Sequence, residues 1–203
     1  MIYEKLYQYD SAVRGTYGMI CGVDEAGRGP LVGPVAVGTV ILDPESRFEW
    51  LNDSKKVTEK RREVLYEEIV RDCISWHVEL IDNLTIDRLN ILGATMLGMK
   101  RCIEFSAENG ATAALVDGNK VPDVAIRAIS VVKGDVTSAS IAAASILAKV
   151  TRDRYMERLA LDYPEYGFEK HKGYPTKEHY AAIKKYGITP FHRLSFLKNL
   201  ENH

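Results

Sequence analysis

The sequence is poor in cysteine, contains no long apolar run and carries no excess of either charge. Its three cysteines, Cys21, Cys73 and Cys102, are widely spaced and form no CxxC pair. This argues against disulfides and indicates buried or free thiols in a reducing compartment. No apolar stretch approaches the ~20 residues of a membrane span, and the N-terminal MIYEKLYQYD lacks the apolar segment of a secretory signal. We therefore expect a cytoplasmic protein without a membrane partner.

The overall charge neither predicts nor excludes a nucleic-acid partner, because the 203 residues carry a net charge of −1. The length fits a single structural unit with a real core. We divide it into a core at residues 1–163 and a basic C-terminal extension at 164–203 packed on that core. The extension has seven Lys and Arg against four Glu, a weak indication of phosphate binding. We expect a monomer.

Apolar periodicity predicts a mixed α/β sheet with helices on its faces, in the order β-β-α-β-α-β-β-α. The predicted strands cover 19–24, 32–42, 74–81, a segment ending at Asp117 and a segment ending at Gly134-Asp135. The first two are joined by a short Gly/Pro turn and should form a hairpin. Predicted helices cover 58–72, 85–105 and 137–163, with Thr58 and Thr85 as N-caps and a short final helix beginning near Thr176.

Four acidic residues stand out by their position. Asp24, Asp117 and Asp135 each lie at or near the end of an apolar strand, followed by a glycine or a turn. Ligand sites in open α/β sheets form outside strand ends, so these three side chains should converge. Glu25 can join them only if its strand ends or bulges there, because adjacent residues on a regular strand face opposite sides.

Electrostatics indicates what such a cluster would hold. Two carboxylates ~4 Å apart repel by about 4 kcal/mol at an effective dielectric constant near 20, so four of them need a cation. An all-carboxylate set without thiolates suits Mg²⁺ or Mn²⁺. The alternative is ordinary turn chemistry, which explains Asp117-Gly118 or Gly134-Asp135 taken alone. It does not explain Asp24-Glu25, whose neighbours favour burial.

Glycines follow the acidic pair. Gly27 and Gly29 allow backbone N–H groups to approach a ligand closely. They also resemble a dinucleotide-binding fingerprint, but Gly33 comes one residue too late for GxGxxG, and apolar strand-like residues follow instead of a helix. A nucleotide-dependent oxidoreductase is therefore a remote alternative.

The chain resembles the bacterial ribonuclease HII family, the type 2 ribonucleases H, in a series of motifs that runs in order from about residue 17 to residue 196. The motifs are GVDEAGRGPLVGPV, NDSKKVTEKRREVLYEEI, NILGATMLGMKRCI, LVDGN, VVKGD, SIAAASILAKVTRDRYM, HKGYPTKEHYAAIKKYG and HRLSF. The resemblance implies a ribonuclease H-like fold, a five-stranded mixed sheet flanked by helices with a helical C-terminal extension.

The resemblance also implies the site and the reaction. The motifs place a four-carboxylate metal site on Asp24, Glu25, Asp117 and Asp135, and two divalent ions, Mn²⁺ or Mg²⁺, would act there during catalysis. The turn Gly27-Arg28-Gly29 with Tyr174 would recognise the ribonucleotide 2′-hydroxyl. The implied activity is cleavage 5′ of a ribonucleotide in RNA/DNA hybrids and at single ribonucleotides embedded in duplex DNA, leaving 3′-hydroxyl and 5′-phosphate ends, for ribonucleotide removal from DNA.

Two other functions stay open beside this one. The first is type 3 ribonuclease H activity, which needs several consecutive ribonucleotides and is disfavoured by Arg28-Gly29-Pro30. The second is a non-catalytic nucleic-acid-binding module, which would be expected to lack some of the four carboxylates.

The remaining polar candidates have more ordinary expectations. Lys55 and Lys56 precede a helix N-terminus and are candidate phosphate contacts. Asp153 lies among basic residues and should form a structural ion pair, and Asp82 should be a turn or cap residue. Three histidines of the C-terminal region lack metal-ligand spacing and are expected to be exposed or to contact phosphate: His171, His179 and His192.

Overall fold

The computed structural model describes residues 3–52 and 57–197, and its strands form one five-stranded mixed sheet in the order β3-β2-β1-β4-β5. The sheet confirms the predicted fold class. Its strands are β1 (Ile20–Ala26), β2 (Val35–Ile41), β3 (Ser75–Ile81), β4 (Ala113–Asp117) and β5 (Arg127–Val131).

Helices lie on both faces of the sheet. They are α1 (Glu4–Tyr17), α2 (Glu59–Asp72), α3 (Asn83–Glu108), α4 (Ala139–Asp162), α5 (Phe168–His171) and α6 (Lys177–Tyr186). A single-turn 3₁₀ helix at Gly134–Val136 precedes α4. The final helix begins after the N-cap Thr176, whose side chain accepts a hydrogen bond from the His179 N–H, as the sequence predicts.

The sheet changes direction at its centre. Strand β1 pairs antiparallel with β2, which confirms the predicted hairpin, and parallel with β4. The outer pairs are β2 with β3, antiparallel, and β4 with β5, parallel. The C-terminal ends of β1, β4 and β5 therefore lie at the same edge of the sheet.

Helix α4 crosses the middle of the sheet at very short range, because its first turns are almost all Ala and Ser. Two strand glycines permit this contact: a Cβ on Gly22 would overlap the Ser140 backbone, and one on Gly38 would overlap the Ala144 carbonyl. The opposite face is covered by α3, which packs Met99, Cys102 and Ile103 against the central strands. Helix α4 is thus held against the sheet by close backbone-to-backbone packing.

Helix α1 precedes the first strand and was not predicted. One of its buried side chains is a carboxylate, Asp10. The Asp10 carboxylate accepts hydrogen bonds from the Ser138 hydroxyl at 2.6 Å and from the Ser140 hydroxyl and N–H at 2.7 and 2.8 Å. It therefore satisfies donors at the N-terminus of α4, which is where a carboxylate is favoured by the helix dipole.

The predicted start of α3 was wrong by three residues. Its N-cap is Asp82, whose carboxylate accepts the Thr85 N–H at 2.7 Å, so Thr85 lies inside the helix and Asp82 is the expected cap residue. The helix is also broken at Asn90, which has φ 59°. Asparagine tolerates this conformation, and its side chain accepts the N–H groups of Leu92 and Gly93, capping the second segment.

The last described segment packs on α4 through an aromatic cluster of its own. Tyr166 and Phe168 stack with ring centroids 5.2 Å apart and pack with Met156 and Leu159 of α4. Cys21 and Cys102 are buried and Cys73 is partly buried, all as free thiols. Within residues 3–52 and 57–197, no helix is both long and apolar enough to cross a membrane.

Candidate active site

Asp24 and Asp117 are delivered to one place by strand register. The parallel ladder of β1 and β4 ends with Val23 opposite Val116, so the next residue on each strand is an aspartate. Neighbouring strands are about 4.8 Å apart. The two carboxylates therefore share the open end of the central strand pair, as the sequence predicts.

Glu25 joins them without a bulge. Strand β1 stays regularly paired with β2 as far as Ala26, but its ladder with β4 has already ended, so the edge is open on that side. The Asp24 carboxylate faces α4 and accepts a hydrogen bond from Ser145, whereas Glu25 borders a groove lined by Thr95 and Met99 of α3. The side chains leave opposite faces and meet around the exposed strand end.

A hydrogen bond from the loop that carries Asp135 to Asp117 places Asp135 beside the other carboxylates. The Asp117 Oδ1 accepts the Gly134 N–H at 2.7 Å, which draws the 3₁₀ turn after β5 towards the end of β4. Gly134 is closely packed, since a Cβ there would crowd the Ile141 side chain and Asp117 Oδ1. The register of β4 therefore also positions the loop that carries the fourth carboxylate.

All four carboxylates line one cavity of about 360 Å³. They share it with the glycine turn, Tyr174 and two residues of α4. Among the described residues, no three His, Cys, Asp or Glu side chains are already grouped around a common point that would hold a metal ion. The cavity suits a cation because it presents a partly buried set of hard oxygen donors.

The pKa values of two carboxyl groups in the cluster are raised. Burial, followed by the nearby charges of Glu25 and Asp117, raises the pKa of Asp24 well above its usual range. Burial also raises the pKa of Glu25, although the Arg28 guanidinium opposes this shift. The cluster therefore resists full ionisation unless positive charge enters the cavity.

The glycine turn and Tyr174 line the same cavity as the carboxylates. Gly27 has φ +91°, and Arg28 extends outward with Nη1 3.3 Å from Glu25 Oε1. Tyr174 is 42% exposed, and its ring lies against Gly29, where an added Cβ would be 3.6 Å from Cε1 of the ring. The structure thus brings all three residues of the turn, together with Tyr174, to the carboxylates.

Two cavity residues on α4 were missed by sequence reasoning. Ser145 and Lys149 line the cavity one helical turn apart, and Lys149 Nζ is 2.8 Å from Asp153 Oδ1. That contact confirms the predicted structural ion pair of Asp153. The i, i+4 spacing of Ser145 and Lys149 on a helix expected to pack centrally was an available signal, because it places both on one face.

Of the remaining candidates, Lys55 and Lys56 lie outside the described residues. The expectation for two of the histidines was wrong, because His179 and His192 are 0% and 1% exposed. Their Nε2 atoms are 3.3 Å apart, His192 Nδ1 accepts the Thr189 N–H at 2.9 Å, and His179 Nδ1 is 3.0 Å from the Tyr174 carbonyl.

This arrangement fixes both histidine tautomers. Since His192 accepts at Nδ1, its proton is on Nε2 and is donated to His179 Nε2, so His179 donates from Nδ1 to Tyr174. Burial, followed by the neighbouring histidine, lowers the pKa of His192 to about 4. Burial likewise lowers the pKa of His179 to about 4, so the pair is neutral at physiological pH.

Comparison with solved structures gives the same fold. The ribonuclease HII solved in complex with PCNA from Archaeoglobus fulgidus is similar over 91% of this chain and 100% of that one, with a TM-score of 0.70 and 28% identity. Bst-RNase HIII, solved in complex with Mn²⁺, has a TM-score of 0.65 over 83% of this chain and 63% of that one, at 19% identity, a likeness of fold alone. The five-stranded sheet with its carboxylate-lined edge defines a ribonuclease H-like nuclease.

The family follows from sequence comparison. The family model described as Ribonuclease HII matches residues 21–199. A ribonuclease HII from Caldicellulosiruptor saccharolyticus is 51% identical over 191 residues, covering 94% of this chain and 93% of the relative. The chain belongs to the ribonuclease HII family and is a ribonuclease H endonuclease.

Proposed function

We propose that this enzyme cleaves the phosphodiester bond on the 5′ side of a ribonucleotide, both in RNA/DNA hybrids and at single ribonucleotides embedded in duplex DNA. The products carry 3′-hydroxyl and 5′-phosphate ends, and the activity serves ribonucleotide removal from DNA. The observation that carries the proposal is the shared cavity: Tyr174 and the Gly27-Arg28-Gly29 turn face the same space as four carboxylates.

The cavity can distinguish a ribonucleotide from a deoxyribonucleotide through the 2′-hydroxyl, the group that a deoxyribose lacks. Gly29 leaves the Tyr174 ring uncovered on the cavity side, and its backbone is accessible because it has no side chain. A ribose seated against this ring would lie within reach of both the turn and the phenol hydroxyl. Arg28, exposed at the rim, would contact the nucleic-acid backbone through its fork of donors.

The acidic residues would hold two divalent cations, Mg²⁺ or Mn²⁺. Asp24 and Asp117, adjacent at the strand ends, would bridge them, and Glu25 and Asp135 would each complete one site. When bound, such a pair of ions supplies an activated water on one side of the phosphorus and charge stabilisation of the departing 3′-oxygen on the other. The raised pKa values of Asp24 and Glu25 support this proposal, since burial and then nearby carboxylates raise them, and a cation in the cavity would favour the ionised forms.

The protein's own groups would orient the reaction. Ser145 donates to Asp24 and keeps its carboxylate turned towards the cavity. Lys149, held by Asp153, adds a positive charge beside the acidic wall where the scissile phosphate must enter. Lys55 and Lys56 are proposed as further phosphate contacts on the strength of their sequence position alone.

A panel of three duplexes tests the substrate. One contains a single ribonucleotide in DNA, the second a run of four ribonucleotides, and the third only DNA. We expect one incision 5′ of the single ribonucleotide, incision within the run, and none in pure DNA, with Mg²⁺ or Mn²⁺ present. Cleavage of the run alone would establish type 3 specificity, and binding without any metal-dependent incision would establish a non-catalytic module.

A further inference from the structure

Two arginines are fully buried beside the candidate active site. Arg152 on α4 is 1% exposed and Arg193 is 0% exposed. Within the described part of the chain, neither forms a salt bridge with a carboxylate, and each instead donates three hydrogen bonds to backbone carbonyls. Burial, followed by the adjacent Arg152, lowers the pKa of Arg193 to about 9. Two neighbouring buried cations are retained here although their burial is unfavourable.

Arg193 binds the loop that follows β1. Its Nη2 donates to the Gly27 carbonyl at 2.8 Å, Nη1 to the Arg28 carbonyl at 3.1 Å and Nε to the Gly33 carbonyl at 2.9 Å. In a trans peptide the N–H points away from the preceding carbonyl. Because two carbonyls of the turn are directed at Arg193, the N–H groups of Arg28 and Gly29 are directed away from it.

Arg152 joins this loop to the segment that carries Tyr174. It donates to the Val32 carbonyl at 3.2 Å and the Pro34 carbonyl at 3.0 Å, and also to the Lys172 carbonyl at 3.1 Å. Its guanidinium carbon lies 5.9 Å from the centre of the Tyr174 ring. The position of Arg152 explains the glycine at position 27, where a Cβ would overlap the Arg152 side chain.

Backbone hydrogen bonds close the assembly. The Leu31 N–H donates to the Gly173 carbonyl, and the Arg193 N–H donates to the Leu31 carbonyl, both at 2.8 Å. The loop after β1, the segment before Tyr174 and the chain at Arg193 therefore form one unit with the two guanidinium groups inside it. Arginine suits this role because its planar fork can serve three carbonyls at once, whereas a lysine ammonium cannot match that geometry.

We propose that Arg152 and Arg193 are positioning residues for ribonucleotide recognition, which fix the Gly27–Gly29 turn at a set distance and angle from the Tyr174 ring. This inference rests on the proposed function, since it concerns how the ribose is held. Neither arginine touches the substrate. Their effect passes through the two segments that line the cavity.

A double-mutant cycle of Arg152→Lys with Tyr174→Phe tests the proposal on the single-ribonucleotide duplex. Misplacing reactive groups by about 1 Å lowers rates by up to roughly 100-fold, so we expect Arg152→Lys to reduce kcat roughly 10- to 100-fold with KM within about twofold. In the Tyr174→Phe background the same substitution should reduce kcat by less than about threefold, because the hydroxyl it positions is already gone.

The controls separate this effect from instability. Arg158→Lys alters an exposed arginine of the same helix and should leave kcat and KM unchanged. The folded fraction of each variant is measured by circular dichroism and kcat is expressed per folded enzyme, so that a loss of folded enzyme does not enter the cycle. Equal losses from Arg152→Lys in both backgrounds would overturn the inference while leaving the proposed function intact. Failure of the wild-type enzyme to incise this duplex would instead overturn the proposed function.

A second arm covers the case in which Arg152→Lys does not fold. The same cycle is run with Arg193→Lys, and amide hydrogen exchange is measured on the wild-type enzyme. We expect the Leu31, Gly33 and Arg193 amides to exchange at rates within about tenfold of one another, as one opening unit. Exchange of Leu31 and Gly33 more than about 100-fold faster than Arg193 would show that the loop moves independently, and would overturn the inference.

Discussion

Asp24 and Asp117 occupy equivalent positions on neighbouring parallel strands, each directly after the last paired couple, Val23 and Val116. The proximity of these two aspartates is therefore a consequence of strand register. A slip of one residue in β4 would turn Asp117 to the other face of the sheet and remove it from the cavity. The same register brings Asp135 in through the Gly134 N–H.

The metal-free enzyme should be destabilised by its own acidic cluster. We expect Asp24→Asn to raise the free energy of unfolding in chelator at pH 7 by about 1–3 kcal/mol. The substitution removes the charge of a buried carboxyl group whose pKa is raised by burial and by two neighbouring carboxylates. Urea denaturation measures this. Asp123→Asn, an exposed substitution, should change stability by less than about 0.5 kcal/mol. A loss of stability in Asp24→Asn would contradict the account of the site.

The buried histidine pair predicts acid sensitivity. The unfolded histidines titrate near pH 6.5, whereas the pKa values of His179 and His192 in the fold are about 4. The unfolded chain therefore binds more protons between these values. The pair's contribution to stability is complete above about pH 6.5 and is lost as the pH falls towards 4. NMR titration of the ring protons checks this, and a value near 6.5 for either ring would contradict it.

The contact between α1 and α4 should be a large single contribution to stability. Asp10→Asn keeps the shape but replaces one acceptor oxygen with a donor that faces the Ser138 or Ser140 groups. Loss of hydrogen bonds to a buried charged group costs about 2 kcal/mol. We expect a decrease of about that size in urea denaturation. Asp162→Asn, on the exposed side at the end of α4, is the matched control, and an equal effect of both would refute the contact's importance.

Arg28 should act on binding more than on folding. Its pairing with Glu25 is half-exposed and should contribute less than about 1 kcal/mol to stability. We expect Arg28→Ala to raise KM roughly tenfold and to reduce the salt dependence of duplex binding by about one phosphate contact. Steady-state incision kinetics measure KM, and fluorescence anisotropy over a range of salt concentrations measures the salt dependence of binding. Arg127 is the first residue of β5 and lies at the strand end remote from the cavity, so Arg127→Ala should change neither KM nor the salt dependence. An unchanged salt dependence of binding in Arg28→Ala would exclude the phosphate contact.

The convergence of the four acidic residues was predictable because each signal was local: an apolar strand, an acidic residue, then a turn. The buried arginines were not predictable in this way. Arg193 bonds carbonyls that are 160 to 166 residues distant in sequence, and nothing near Arg193 in the sequence indicates burial. His192 is likewise a polar residue whose burial depends on distant partners, since His179 and Phe168 pack around it.

Helix α1 was missed for a related reason. Only two of its apolar residues, the adjacent Leu6 and Tyr7, are fully buried, and its third buried side chain is a carboxylate, Asp10, that bonds the start of α4. The break in α3 at Asn90 was missed because the helical period continues on both sides of it. In both cases the deciding interaction is a polar side chain meeting backbone donors, which apolar periodicity does not report.

The most direct test of the central claim is the initial rate of incision at a single ribonucleotide as Mn²⁺ is added to chelator-treated enzyme. We expect no incision in chelator, a rate that rises with Mn²⁺ to saturation, and no incision at any Mn²⁺ concentration by Asp117→Asn with an unchanged circular dichroism spectrum. Full activity in chelator, or wild-type rates from Asp117→Asn, would contradict the claim that these carboxylates hold the ions of the reaction.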